Sequence, residues 1–157
     1  MEYYSTEKVN DHITLLRSIT GELLYLVEGQ EKAALIDTCL GVGHLRSLVE
    51  KLTDKELLVL LTHGHIDHAL GAPEFERVYM NHKDIGLYQA QCSLPERKGY
   101  MQMGLAPEVF AGIEEKDFVP PTPDYQFLPL EDGMIFNLGG VTIEAIAYPG
   151  HTQGSMA

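Results

Sequence analysis

The sequence predicts a fold of the α/β class, taken broadly to include α+β, and three observations support this. Segments of strand length alternate with segments that have helical spacing. The continuous apolar run 57–61 is typical of a strand covered on both faces. The chain has 157 residues, of which 45% are hydrophobic and 22% charged, a composition close to that of soluble globular proteins. We therefore expect one domain over residues 1–157.

The first half of the chain predicts strands separated by one amphipathic helix. Two apolar runs, 23–27 and 33–36, flank a polar turn and indicate a hairpin whose second strand ends at Asp37. Apolar residues recur at helical spacing from Val42 to Leu52, which predicts a helix packed on a sheet. The remaining elements predicted here are a strand at 56–61, a short strand at 77–80 and a helix at 82–92.

The second half predicts short helices followed by strands. Prolines interrupt the helical patterns between residues 93 and 119, and the proline-rich segment 120–123 indicates an extended connector. Turn signals then separate three apolar runs, which we expect to form an antiparallel meander. These runs are 125–128, 134–138 and 141–147.

Charge and cysteine content limit the classes of partner. The formal net charge of −12 would repel phosphate backbones, so we expect no nucleic-acid partner. A small anionic substrate remains compatible, because a bound dication reverses the local charge. Two cysteines, Cys39 and Cys92, do not form a disulfide framework, which favours the reducing cytoplasm. The sequence has neither a signal peptide nor an apolar run of membrane-spanning length, so we expect no membrane partner.

A cluster of histidines follows the strand predicted at 56–61. Residues two apart in an extended segment project to the same side, so His63, His65 and Asp67 could face one region. Imidazole and carboxylate groups suit zinc, iron and manganese, and a catalytic zinc usually takes three protein ligands. A shuffled chain of this composition would rarely contain the pattern. We predict a metal site, with Zn²⁺ as the preferred ion and Fe or Mn as alternatives.

Two further histidines extend this site. His151 follows a predicted strand in a glycine-rich turn and is a candidate third ligand, although a lone histidine in such a loop is often simply solvated. A helix that starts near Asp67, capped by its carboxylate, would direct Asp67 and His68 to a second metal position. Asp67 is also the candidate catalytic residue, because a carboxylate can orient water or accept its proton.

The other histidines, the cysteine Cys39, Asp37 and a short segment near residue 100 are expected to have mainly structural roles. The isolated histidines, His12, His44 and His82, are not expected to bind metal. Cys39 is expected to be a small buried hydrophobic residue. Asp37 could either hydrogen-bond a ligand histidine or cap a turn. The residues Tyr100, Met101 and Met103 could line an apolar pocket, but we expect core packing instead.

These motifs resemble the metallo-β-lactamase superfamily. The resemblance spans most of the chain and is closer to glyoxalase II-like thioester and lactone hydrolases than to true β-lactamases. It is carried by the strand-terminal Asp37 and by two motifs, Thr62-His63-Gly64-His65-Ile66-Asp67-His68 and Pro149-Gly150-His151-Thr152-Gln153-Gly154-Ser155. The resemblance implies an αββα sandwich with His63, His65 and His151 at one metal and with Asp67 and His68 at the other.

The chain departs from the family pattern at its C-terminal end. The family continues to a metal-bridging aspartate and a final histidine on later strands, whereas this sequence ends at Ala157. We therefore expect residues 1–157 to be the N-terminal half to two-thirds of the sandwich, as a fragment or as a natural truncation. Such a partial sandwich would expose an apolar sheet face, which predicts a homo-oligomer.

The resemblance leaves three functional hypotheses. The first is hydrolysis of a small-molecule thioester, lactone or related ester or amide by metal-activated water, with this chain possessing too few ligands to complete the reaction. The second is iron-dependent oxidoreductase or dioxygenase chemistry, which the same superfamily contains. The third is a metal-binding module without turnover.

Overall fold

The computed structural model describes residues 1–157 and shows a seven-stranded mixed sheet. Strands β1 to β4 are antiparallel neighbours, and β4 to β7 are parallel neighbours. The sheet contains β1 (Tyr4–Lys8), β2 (Ile13–Ser18), β3 (Leu23–Glu28), β4 (Lys32–Ile36), β5 (Glu56–Leu60), β6 (Val78–Met80) and β7 (Leu128–Pro129). A separate two-stranded hairpin contains β8 (Ile135–Asn137) and β9 (Thr142–Glu144).

Five α-helices connect the strands. The helices are α1 (Leu45–Leu52), α2 (Ile66–Ala69), α3 (Ile85–Gln91), α4 (Leu94–Gly104) and α5 (Pro107–Phe110). A 3₁₀ turn at His82–Asp84 precedes α3 and shortens the helix that the sequence predicted at 82–92. None of these helices combines the length and the apolar character that a bilayer crossing requires.

The two faces of the sheet belong to two different cores. On one face, Leu35 and Val59 lie in a cluster of 25 buried residues that also includes α1, α3 and α4. On the other face, Ala34 and Leu58 pack against the β8–β9 hairpin in a smaller cluster. Side chains alternate between faces along each strand, so β4 and β5 contribute to both cores. The order of layers is helix, sheet and second sheet, as expected for the first part of an αββα sandwich.

Two sequence predictions are corrected by this topology. Strands β1 and β2 were not predicted, because four of the five residues of β1 are polar and exposed and the three apolar residues of β2 do not alternate strictly with polar ones. The predicted antiparallel meander is wrong for its first strand. Leu128 and Pro129 pair in parallel with β6, and only β8 and β9 form a hairpin, because the preceding segment returns along the sheet edge.

A buried arginine links the helical layer to the loops at the edge of the sheet by hydrogen bonds. Arg97 on α4 is 1% exposed and donates hydrogen bonds to three backbone carbonyls, those of Leu40, Gly41 and Val119. Its guanidinium carbon also lies 5.6 Å from the centre of the Phe118 ring, and burial lowers its pKa. This side chain joins α4 to the loop that follows β4.

Candidate metal centre

The candidate site lies where three neighbouring parallel strands end. Asp37 directly follows β4, the histidine motif begins at His63 just after β5, and Asp84 closes the turn after β6. Because these strands are parallel, their carboxyl ends lie at one edge of the sheet. His151 reaches the same edge from the loop after β9, 86 residues along the chain from His65.

Three predicted ligands meet at this edge. One nitrogen from each of His63, His65 and His151 lies within 4.8 Å of the other two. Nδ1 of His65 is 3.0 Å from Nε2 of His151. The Nε2 atom of His63 is buried and has no hydrogen-bond partner, whereas its Nδ1 lies 3.0 Å from the Thr62 hydroxyl. A buried nitrogen without a partner is unfavourable unless something binds it.

These histidines fit a divalent metal. Burial and the neighbouring His68 lower the pKa of His63 to about 4, and burial and His151 lower that of His65. Both rings are therefore neutral at pH 7, which is the form that binds a metal. Three imidazoles with convergent nitrogens are a donor set that suits zinc.

Asp67 and His68 lie beside this triad. Asp67 Oδ2 is 3.5 Å from His68 Nε2 and accepts a hydrogen bond of 3.1 Å from the Tyr100 hydroxyl. The ring of His68 is centred 4.0 Å from that of His63. Burial opposes ionisation of Asp67, but contacts with His68 and Tyr100 outweigh it and lower its pKa to about 2. The carboxylate is thus charged at neutral pH.

A short helix holds Asp67 and His68, as the sequence predicted near this point, but its cap differs from the prediction. Helix α2 starts at Ile66, and Asp67 lies inside its first turn instead of capping it. The N-cap position is His65, whose side chain makes no capping hydrogen bond. The side chain of Gln91 accepts a hydrogen bond of 2.8 Å from the backbone N–H of Ile66.

Asp37 hydrogen-bonds a candidate ligand histidine, which was one of its two predicted roles. Its Oδ2 atom is 2.8 Å from His68 Nδ1, and its Oδ1 accepts a hydrogen bond of 2.8 Å from the backbone N–H of Thr62. Burial alone would lower the pKa of His68, but the two aspartates raise it to about 10. Asp37 has a φ of 65°, a left-handed conformation that aspartate tolerates better than most residues. It therefore orients His68 and anchors the start of the motif.

Asp84 is the site residue that sequence reasoning missed. It is 2% exposed and accepts hydrogen bonds from both histidine-bearing loops. Asp37 directly follows β4, whereas Asp84 lies at the end of the 3₁₀ turn that follows β6, so no strand-end signal marked it in the sequence.

The remaining predicted residues divide between core and surface. His12, His44 and His82 lie outside the three-histidine cluster, and each contacts a different part of the protein. Cys39 is buried as predicted, and burial raises the pKa of its thiol. Met101 belongs to the core.

The expectation of core packing is wrong for Met103, which is 82% exposed because it lies on the solvent side of α4. Tyr100 is only partly buried and contacts Asp67.

The fold and the site together define a class of protein. The sequence profile of the Metallo-beta-lactamase superfamily matches residues 21–157, and the chain therefore belongs to that superfamily. Solved structures support the fold. A subclass B3 metallo-beta-lactamase of Bradyrhizobium japonicum, BJP-1, superposes with a TM-score of 0.61 at 21% identity and covers 96% of this chain and 54% of that one. A Cronobacter sakazakii metallo-beta-lactamase gives a TM-score of 0.64 at 21% identity, over 96% and 55% of the two chains.

Three relatives with similar sequences are named as hydrolases. The human acyl-coenzyme A thioesterase MBLAC2 is 28% identical over 99% of this chain and 62% of its own length. The atrochrysone carboxyl ACP thioesterase nsrC of Aspergillus novofumigatus is 29% identical over 88% and 34% of the two proteins. The hydroxyacylglutathione hydrolase GloC of Haemophilus influenzae is 29% identical over 81% and 55%. This chain thus spans about a third to three-fifths of the length of these relatives.

Proposed function

We propose that this chain carries the metal centre of a hydrolase that cleaves a small thioester, lactone or related ester. The observation that supports this best is the convergence of His63, His65 and His151, with a buried nitrogen of His63 that has no partner in the protein. Thioesters are favoured because the relatives include thioesterases and a hydroxyacylglutathione hydrolase.

The proposed ligands form two groups. His63, His65 and His151 would hold the first ion, and Asp67 and His68 would contribute to a second, whose binding must displace the proton that Asp37 and Asp67 stabilise on His68. Zinc is the preferred ion, and iron or manganese would suit the same donors. A bound zinc supplies Lewis acidity, which acidifies water and polarises a carbonyl.

The side chains of this protein would supply positioning and proton transfer. In thioester hydrolysis, water adds its oxygen to the carbonyl carbon, the C–S bond breaks and the thiolate leaves. We assign to Asp67 the task of orienting that water and accepting its proton, because its carboxylate is charged at neutral pH. The Tyr100 hydroxyl would fix the Asp67 carboxylate through Oδ2. Asp37 would fix His68 through Nδ1.

A groove beside Asp67 would hold the apolar part of the substrate. It has a volume of about 360 Å³ and runs between α3 and α4. Its lining residues are Ile66, Gln91, Pro95, Glu96, Gly99, Tyr100 and Met103. A Gly99→Leu variant should block acyl groups from this groove, and Gly86→Leu is the matched control because its Cβ also meets open space outside the groove.

We also propose that this chain self-associates. Leu23 and Tyr25 project from β3 on the face opposite the helices and are more than a third exposed. Ile135, Ile146 and Tyr148 are also exposed near the second sheet. Exposed apolar side chains of this size on the sheet layers would be buried by association with a second copy. Two buried free cysteines are compatible with a reducing cytoplasmic compartment.

Metal content and turnover test the proposed function. Purified chain should bind a stoichiometric divalent metal, measured by elemental analysis, which also separates zinc from iron. The loaded chain is then assayed against an acyl-coenzyme A, a hydroxyacylglutathione and an aryl lactone. His63→Ala should abolish metal binding, Asp67→Asn should abolish hydrolysis, and the exposed His12→Ala should change neither. Metal binding without turnover would refute hydrolysis by residues 1–157 alone and would leave the proposed metal centre standing.

A further inference from the structure

We propose that Asp84 is a positioning residue that sets His151 against His63 and His65. A single buried carboxylate ties the two histidine-bearing loops together before any metal binds. This inference deepens the proposed function and rests on the metal centre proposed above.

The contacts of Asp84 reach both loops. Its Oδ2 accepts a hydrogen bond of 3.0 Å from the backbone N–H of Gly64, which lies between His63 and His65. The same oxygen accepts a hydrogen bond of 2.6 Å from the hydroxyl of Thr152. Its Oδ1 accepts a hydrogen bond of 2.9 Å from the backbone N–H of Gly154. All three contacts are buried, so solvent cannot replace them.

The His151 loop needs such an anchor. His151 itself is exposed, and Gly150 before it gives the backbone freedom. Thr152 is buried and also contacts the Ser155 hydroxyl at 2.8 Å, so Asp84 holds a small network and not a single side chain. The N–H of Met156 also donates a hydrogen bond to the carbonyl of Thr62, just after β5. Asp84 contacts Gly64 and Thr152, which are the chain neighbours of the three candidate ligand histidines.

Close contact with Asp84 also explains why each motif has a glycine at this point. A Cβ atom built on Gly64 would lie 2.8 Å from the Asp84 carbonyl oxygen and 2.9 Å from its Cβ. A Cβ atom on Gly154 would lie 2.7 Å from the Asp84 Cγ and 2.8 Å from Oδ1. Neither glycine has a left-handed φ, so both are required by space and not by backbone conformation. Any side chain larger than a hydrogen at either position would therefore collide with Asp84.

The role requires an acceptor at both oxygens. An asparagine would keep the shape but would present an NH₂ group to a backbone N–H, because both oxygens of Asp84 accept from main-chain donors. Asp84→Asn should therefore release one loop, and Thr152→Val should remove only the hydroxyl contact. Thr152→Ser retains that hydroxyl and is the conservative rescue.

Binding of cobalt tests this role, because Co²⁺ reports both affinity and coordination. Affinity is measured by competition with a chelator, and the visible spectrum is recorded at saturating Co²⁺. Asp84→Asn and Thr152→Val should weaken affinity about 10-fold or more, which is the scale for residues that support ligands, and should alter the saturated spectrum. Thr152→Ser and the control Glu74→Gln, which changes a poorly exposed carboxylate outside the site, should resemble the original protein. Thermal unfolding of the metal-free variants checks that each one folds.

The outcomes separate this inference from the proposed function. If the unaltered chain binds Co²⁺ and folded Asp84→Asn and Thr152→Val proteins match it in affinity and spectrum, the positioning role is refuted while the metal centre stands. If the unaltered chain binds no Co²⁺, the metal centre and the inference both fail. If Asp84→Asn does not fold, the contrast between Thr152→Val and Thr152→Ser decides, and equal spectra for these two would overturn the role.

Discussion

Replacement of glycine by alanine should have opposite effects on stability at different positions. Gly99 lies inside α4, where an added Cβ meets nothing within 4 Å. At Gly64 and Gly154 the added Cβ would lie 2.7–2.9 Å from atoms of Asp84. The substitution is chemically identical in the three variants, so the difference isolates the local environment.

The structure gives the expected magnitudes. Alanine is favoured over glycine inside a helix by about 1 kcal/mol, which should stabilise Gly99→Ala by that amount. Overpacking of a tight site costs about 1–3 kcal/mol, which applies to Gly64→Ala and Gly154→Ala. In a chain of this size, 1 kcal/mol corresponds to about 2–4 °C in the midpoint of thermal unfolding. The midpoint should rise by a few degrees for Gly99→Ala and fall for the other two.

Thermal unfolding of the metal-free proteins, followed by circular dichroism, measures these shifts. Using metal-free protein separates packing around Asp84 from any change in metal affinity. Midpoints for Gly64→Ala and Gly154→Ala equal to that of the unaltered chain would refute the close packing around Asp84. A fall in Gly99→Ala would show that the groove beside α4 is occupied by protein atoms.

Three further predictions concern titration, thiols and association. Burial lowers the pKa of His63 to about 4, so the unfolded chain binds more protons, and the stability of the metal-free protein should fall as the pH drops from about 6.5 to 4. The free energy of unfolding, measured by urea titration at each pH, should fall less steeply with decreasing pH in His63→Asn than in the unaltered chain. An equally steep fall would contradict the lowered pKa of His63. Cys39 is buried and its thiol pKa is raised, so iodoacetamide at pH 8 should not label it in the native protein but should label it fully in urea. Mass spectrometry locates the label, and rapid labelling of Cys39 in the native protein would be incompatible with its burial. Light scattering should detect oligomers of the unaltered chain. Tyr25→Glu should weaken them, whereas the control Met103→Lys, on the helical side, should not. A monomer at high concentration would count against association.

The sequence predicted the parts of the site that lie in short, chemically distinctive segments. The motif from His63 to His68 follows a continuous apolar strand, so both its chemistry and its place at a strand end could be inferred. His151 was harder, because 86 residues separate it from His65. Its glycine-rich turn after a strand made it a candidate, and the family resemblance strengthened that prediction. Asp84 escaped notice because a lone aspartate after a three-residue strand has no local pattern, and its role depends on contacts with two distant loops.

The fold was predictable to a similar degree. Strands β3 to β6 and helix α1 were expected from apolar runs and helical spacing. Strand β7 was placed wrongly, because a two-residue strand takes its partner from the path of the chain and not from its own sequence. Arg97 could not be identified as a buried residue, since an arginine without a carboxylate partner is normally exposed.

The convergence of three strand ends has a consequence for how this protein could diverge. Asp37, the histidine motif and Asp84 are all fixed by the sheet, whereas α4 reaches them mainly through the Tyr100 hydroxyl. Insertions or exchanges in the helical connections could reshape the groove while leaving the histidines in place. In the proposed hydrolase, the residues for chemistry and those for substrate selection would lie in separate parts of the chain, so each could change without the other.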